Sequence, residues 1–318
     1  MKLAHLKEQL IFSNMEFNEI VTRVLGSHMI LTASIGLCIN VLMFHHFWKL
    51  EKTSFYMLCI SKTVSNCMTL LIYLLYVGPV NAFYNPIGTL ELNAYLNQAL
   101  GYGLILQGPI TQCLITINRL LVVWIFELYV PQYSGTITIF AISLSWVFTI
   151  WVSTLFGLPD NCRVPFAFPH VGYTQTDCNN QVTWYMLYGI LGLAASTNFM
   201  NILIAAKLFC RSRSQKRLSS EAHRSRRKLS IRFYFQSCSQ DWISVLDFAN
   251  NIASFTYCLS QVCVTSITMG FDVFVYGADG FVMYMFNRKI STKKIEIKSS
   301  KSSAFMKQNM TIITPISS

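Results

Sequence analysis

Hydrophobic positions along this chain fall into long runs, and the charged positions gather between them. Seven runs stand out, over 24–48, 54–78, 92–126, 134–158, 182–206, 229–255 and 259–286. Each is long enough for a helix to cross the hydrocarbon core of a bilayer, which takes ~20 apolar residues. The first ends at Trp48-Lys49, an aromatic and a cation suited to an interface. The second stops at Gly78-Pro79, a helix-ending pair, and the fourth at Pro159-Asp160. The pattern predicts an all-α membrane protein: residues 1–23 outside, a seven-helix domain over 24–286, and a tail over 287–318. The tail is rich in Lys and Ser and is expected to be disordered.

Composition agrees with this. The chain is 53% hydrophobic and only 12% charged, where soluble domains average about 25% charged. Its mean hydropathy is +0.42. A formal net charge of +11 would point to nucleic acid in a soluble protein. Here the cations cluster. Ten Lys and Arg lie between Lys207 and Arg232, seven between Arg288 and Lys307, three before the first run, and only Arg163 in the loop after the fourth. The positive-inside rule then puts the N-terminus outside and the C-terminus in the cytoplasm, and no nucleic-acid partner is expected. Lys7, Glu8, Glu16 and Glu19 break any apolar leader, so the first helix is expected to serve as its own insertion signal.

Some ionisable residues lie inside the runs. An arginine facing lipid costs at least ~2.5–3.5 kcal/mol, so Arg119, behind Asn118 in the third run, is expected to face other helices or a watery mouth. At 1.5 Å per residue, Lys62 lies roughly 15 Å beyond Lys52, and Asp241 roughly 14 Å beyond Arg232. Asp279 lies roughly 14 Å before Arg288, and Arg119 roughly 10–12 Å before Glu127. Two cations and two acids thus share one depth in the inner half.

Asp247 and Asp272 fall further out, roughly 22–24 Å from the cytoplasmic ends of their helices. No cation is expected at that depth. Each acid is protonated, held by polar neighbours such as Asn250, Asn251 or Gln261, or met by a ligand. Tyr102, Gln107, Tyr185 and Tyr188 are the other candidates to line an outer cavity, although aromatics are most often packing. Most of the ten cysteines sit in apolar runs as packed thiols. No metal-ligand spacing and no nucleophile–base set is present, so neither cofactor, metal nor catalysis is expected.

Five segments resemble the serpentine receptor class x family of nematode chemoreceptors, rhodopsin-like seven-helix receptors. They are LCISKTVSN (58–66), INRL (117–120) with Pro131-Gln132-Tyr133, the pair Cys162 and Cys178, FYFQSCSQDWISVLD (233–247) and DGFVMYMFN (279–287). The resemblance implies G protein-coupled sensing of environmental chemicals in the plasma membrane of sensory neurons. In a receptor bundle the second helix neighbours the seventh and the third faces the sixth. That layout pairs Lys62 with Asp279 and Arg119 with Asp241, as an activation switch or as static packing with Lys62 snorkelling. The chain also departs from wider rhodopsin-like receptors. Asn118-Arg119-Leu120 replaces Asp-Arg-Tyr, the sixth helix lacks proline, and the seventh lacks Asn-Pro-x-x-Tyr. The start of the third run has no cysteine for the usual bridge to the loop. Cys162 and Cys178 are therefore expected either to bridge within the loop or to remain free thiols.

The expected partners are a small-molecule ligand, a heterotrimeric G protein on the cytoplasmic loops, and membrane lipids. The basic segment 207–228 serves coupling or simply holds the anionic leaflet. A retinal-based light sensor is disfavoured because the seventh run has no lysine. An amine receptor is disfavoured because the third run has no aspartate. The competing class is a membrane transporter or ligand-gated channel, since intramembrane charges also mark ion paths.

Overall fold

The computed structural model describes the backbone of residues 2–50, 52–124, 131–163, 176–214 and 221–310. Side chains are described for 17–50, 52–124, 135–163, 176–210, 231–254, 256–260 and 262–287. Among these residues the chain forms seven long helices and no strand. They are α1 (Lys2–Trp48), α2 (Ser54–Phe83), α3 (Leu90–Trp124), α4 (Pro131–Ser153), α5 (Asp177–Ser214), α6 (Glu221–Tyr257) and α7 (Gln261–Met310). α3 runs through the middle, against α2, α4, α5 and α6, while α1 closes the side formed by α2 and α7. Below, "outer" denotes the end where α3 begins, which the cation count assigns to the outside.

Several helices run past the expected limits. Gly78-Pro79 does not end α2. Proline lacks an N–H and its ring crowds the carbonyl four residues back. A π-helical stretch at Tyr73–Val77 widens the backbone just before it. The helix then continues to Phe83 and stops at Tyr84, whose φ of 53° is left-handed. α3 absorbs Pro109 in the same way, after a π-helical stretch at Ala99–Leu104. α4 ends at Ser153, five residues early, because Leu155 and Gly157 take positive φ. α1 already begins at Lys2, and α7 continues to Met310 through the tail expected to be disordered. No glycine or proline interrupts either extension.

Among the described residues six helices are long and apolar enough to cross a membrane; α6 is the exception. The reason is visible in its faces. Gln236, Ser237, Gln240 and Asp241 are buried, while Phe235, Trp242 and Leu246 are exposed. α6 turns polar groups inward and apolar ones outward, as suits a helix between lipid and a polar core. α1 and α7 approach most closely through glycines. A Cβ on Gly36 would lie 3.0 Å from Gly277 Cα, and one on Gly280 would lie 2.5 Å from Asn40 Nδ2. Such small-residue contacts let helices pack without side chains between them.

The core is layered. An outer apolar cluster contains Met29, Ala33, Leu70, Tyr73, Met269 and Val273. An inner one contains Met43, Phe47, Leu58, Ile115 and Met283. Between them, at the level of Asn40, Asn66 and Asp279, the buried side chains are polar.

Candidate functional site

That polar layer centres on one ion pair. Lys62 Nζ of α2 lies 2.9 Å from Asp279 Oδ1 of α7, and both side chains are almost fully buried. Lys62 also donates to Gln112 Oε1 of α3 at 2.8 Å. Asp279 accepts from Gln240 of α6 at 2.9 Å and from Asn66 of α2 at 2.7 Å. Asn66 continues to Asn40 of α1 at 3.1 Å, and Asn40 to the Tyr276 carbonyl at 3.2 Å. Gln112 donates to Ser237 Oγ of α6 at 2.9 Å. On the inner side Asn287 donates to Gln236 at 3.1 Å. Both Asp279 oxygens are engaged and the Lys62 ammonium has two partners, the condition under which a buried ion pair is tolerated.

The expected pair of Arg119 and Asp241 does not form. Asp241 instead accepts from Asn201 of α5. All three Arg119 guanidinium nitrogens are buried, with no hydrogen-bond partner among the described residues. The guanidinium carbon sits 5.0 Å from the ring centre of Phe55 and 5.7 Å from that of Phe233. The reason is register. Gln112 and Thr116 lie level with Ser237. One turn inward, Arg119 comes level with Phe233, while Asp241 lies one turn outward. The described part of α3 stops at Trp124, and Glu127, from which the expected depth was measured, lies outside the described residues. Asn118 is half-buried beside Arg119. The aromatic clamp thus takes the place of an anion, through cation–π attraction.

Outward of Lys62 a cavity of about 60 Å³ opens, lined by Lys62, Asn66, Asp247, Asn251, Tyr276 and Asp279 among others. Asp247 faces Asp272 across the α6–α7 seam. Asp272 accepts from Tyr73 and Asn251, each at 3.4 Å. Asp247 Oδ1 is sealed from solvent and has no hydrogen-bond partner among the described residues.

The family model for the serpentine type 7TM GPCR chemoreceptor Srx matches residues 30–287, from within α1 to the end of the polar layer in α7. The chain belongs to the Srx family. That family is one of receptors, not of enzymes, and the protein is a multi-pass membrane protein of the chemosensory GPCR class. A crystal structure of squid rhodopsin matches with a TM-score of 0.60 and 13% identity, covering 88% of this chain and 87% of that one. At that identity the likeness shows the rhodopsin-like fold. No curated protein matches.

The remaining ligand candidates of this Srx receptor are scattered. Tyr102 is buried against Leu155 and Cys162. Gln107 pins α3 to α4 through Ser145 at 3.2 Å and Thr149 at 3.1 Å. Tyr185 lines a lateral, apolar groove of about 500 Å³ among α3, α4 and α5. Tyr188 is 63% exposed on the outside of α5. Asn250 donates to the Ile267 carbonyl at 2.7 Å and joins α6 to α7. Only Asp247, with Asp272 behind it, faces the central cavity. Cys162 and Cys178 are bonded, with Cα atoms 5.2 Å apart. Most of the basic segment 207–228 lies outside the described side chains; within it Lys207 sits 4.6 Å over the Trp124 ring.

The sequence reading missed Gln112, Asn66, Asn40 and Gln240, which complete the ion-pair network. Amides inside apolar runs were the available signal, and Gln236 and Gln240 are spaced to share a helix face. It also missed a second bridge, Cys258–Cys263, which joins the outer ends of α6 and α7 with Cα atoms 5.5 Å apart.

Proposed function

We propose that this Srx receptor binds a small environmental chemical in the outer half of its bundle and activates a heterotrimeric G protein at the inner mouth. Its place is the plasma membrane of sensory neurons, with lipids around it. The observation that carries this reading is the ion pair of Lys62 and Asp279. Through Gln112, Gln240, Asn66 and Asn40 it ties α1, α2, α3, α6 and α7 together at one depth. A layer of directed hydrogen bonds has few acceptable arrangements, so helix shifts that a ligand favours are passed across the bundle as a change of state. Inward of the layer, aromatic rings are what hold the Arg119 guanidinium among the described residues. It is released when α6 carries Phe233 away, and its donors then face the opened mouth.

The test is agonist-dependent nucleotide exchange on G proteins, in membranes carrying the chain, against a panel of odorants, lipids, acids and amines. A compound that raises exchange in the wild type, and fails to do so in Arg119→Ala at equal surface expression, is the expected result. A ligand-evoked current without nucleotide exchange would contradict it.

A further inference from the structure

We propose that the cavity between Lys62 and Asp247 is a binding site for a small organic monocation, a protonated amine of about two to four non-hydrogen atoms. The sequence argues against an amine because the third run has no aspartate. The fold supplies the acid from α6 instead.

Charge accounting leads there. The cavity has Lys62 and Asp279 at its inner end and Asp247 at its outer end. The Lys62 ammonium is engaged by Asp279 and Gln112, so the inner end is neutral and complete. The outer end is not. Asp272 accepts from Tyr73 and Asn251 and shares a hydrogen bond with Asp247, and no salt bridge to either acid forms among the described residues, so the acid pair has no cation beside it. Asp247 lines the void, and its Oδ1 is buried with no hydrogen-bond partner among the described residues. A buried carboxylate oxygen without a donor is costly, and an N–H of a bound cation removes that cost.

The void itself sets the size. About 60 Å³ is room for roughly four to six waters at ~10–15 Å³ each. Methylammonium, dimethylammonium and trimethylammonium fit that room. The walls suit an N-methyl group as well as a charge: Ile105, Pro109, Leu187, Ile243 and Phe248 are among the apolar lining. Gly108 also lines it, and a Cβ placed there meets nothing within 4 Å. The ammonium would bond Asp247, with the Tyr276 ring and the Asn251 amide beside it.

This rests on the receptor reading above, but its test reads binding with no G protein present. The full chain is purified in detergent, and its thermal unfolding midpoint is followed against methylammonium and trimethylammonium chloride. Sodium chloride and sodium acetate at equal ionic strength are the controls. Binding to the folded state raises the midpoint with concentration. The wild type is expected to rise by a few degrees with the amines and not with the controls. Asp247→Asn is expected to lose the rise, and Asp160→Asn, exposed at the outer surface, to keep it. If Asp247→Asn does not fold, Gly108→Val serves: it fills the void, leaves the acids in place, and is expected to lose the rise. An amine response absent from the wild type up to about 100 mM, or equal in wild type, Asp247→Asn and Gly108→Val, would overturn the site. Either result leaves the exchange assay free to decide the receptor reading.

Discussion

Lys62 and Asp279 are the side chains on which most else depends, and their energetics are asymmetric. Removing one charge leaves the other buried and uncompensated, at a cost of about 3–5 kcal/mol. Lys62→Met alone is therefore expected to lower unfolding stability in detergent by that order. Lys62→Met with Asp279→Leu is expected to recover much of it, because neither charge is then left alone. Strictly additive losses in the double variant would show that the two do not act as a pair. Arg119 is a different case. A desolvated cation–π contact contributes about 2 kcal/mol. Phe233→Leu is expected to loosen the clamp and raise ligand-free nucleotide exchange, with surface expression unchanged; a fall in exchange would count against the clamp as a restraint. The first pair was legible because both residues lie in the middle of their helices, where errors in helix ends matter little. The second was misread because Arg119 and Asp241 lie on opposite sides of the Ser237 level, and because an aromatic clamp leaves no pattern of opposite charges to count.

The contacts between helices make their own predictions. Gly280 lies where α7 meets Asn40 of α1. Gly280→Ala is expected to cost about 1–3 kcal/mol by forcing the two apart. Gly192→Ala, whose Cβ meets nothing within 4 Å, is expected to be neutral or slightly stabilising. Equal effects in thermal unfolding would contradict the close approach. The two bridges, Cys162–Cys178 and Cys258–Cys263, predict two disulfide-linked peptides in a non-reducing digest. Free, alkylatable thiols at any of the four would remove the corresponding staple. A closed loop of the first bridge's size is worth roughly 3 kcal/mol on the chain-entropy model. The helix middles were legible in the hydrophobic runs, and the ends were not. Gly78-Pro79 reads as a stop in sequence, but a π-helical stretch lets α2 pass through it. Cys258 falls in the short expected link 256–258, but Cys263 falls inside the expected seventh run, 259–286, so no bridge across that turn was expected.

For the molecule as a whole, seven apolar runs and the asymmetry of cations are enough to read the bundle, and the motifs in 58–66, 233–247 and 279–287 are enough to read the family. α6 shows why hydropathy by itself falls short: its buried Gln236, Gln240 and Asp241 lower its apolar content while doing structural work in the core. The ligand candidates were harder to read, because depth along a helix says nothing of direction around it. Tyr185 and Tyr188 lie at a plausible depth but on the outside of α5. The central claim is that the Lys62–Asp279 layer couples the outer cavity to the inner mouth. The most direct test is ligand-free and ligand-stimulated nucleotide exchange in wild type, Lys62→Met, Asp279→Asn and Lys62→Met/Asp279→Leu, at matched surface density and confirmed folding. The account predicts that each single variant shifts basal exchange or uncouples it from ligand while ligand still binds. Basal and stimulated exchange unchanged in all three variants would show the layer to be static packing.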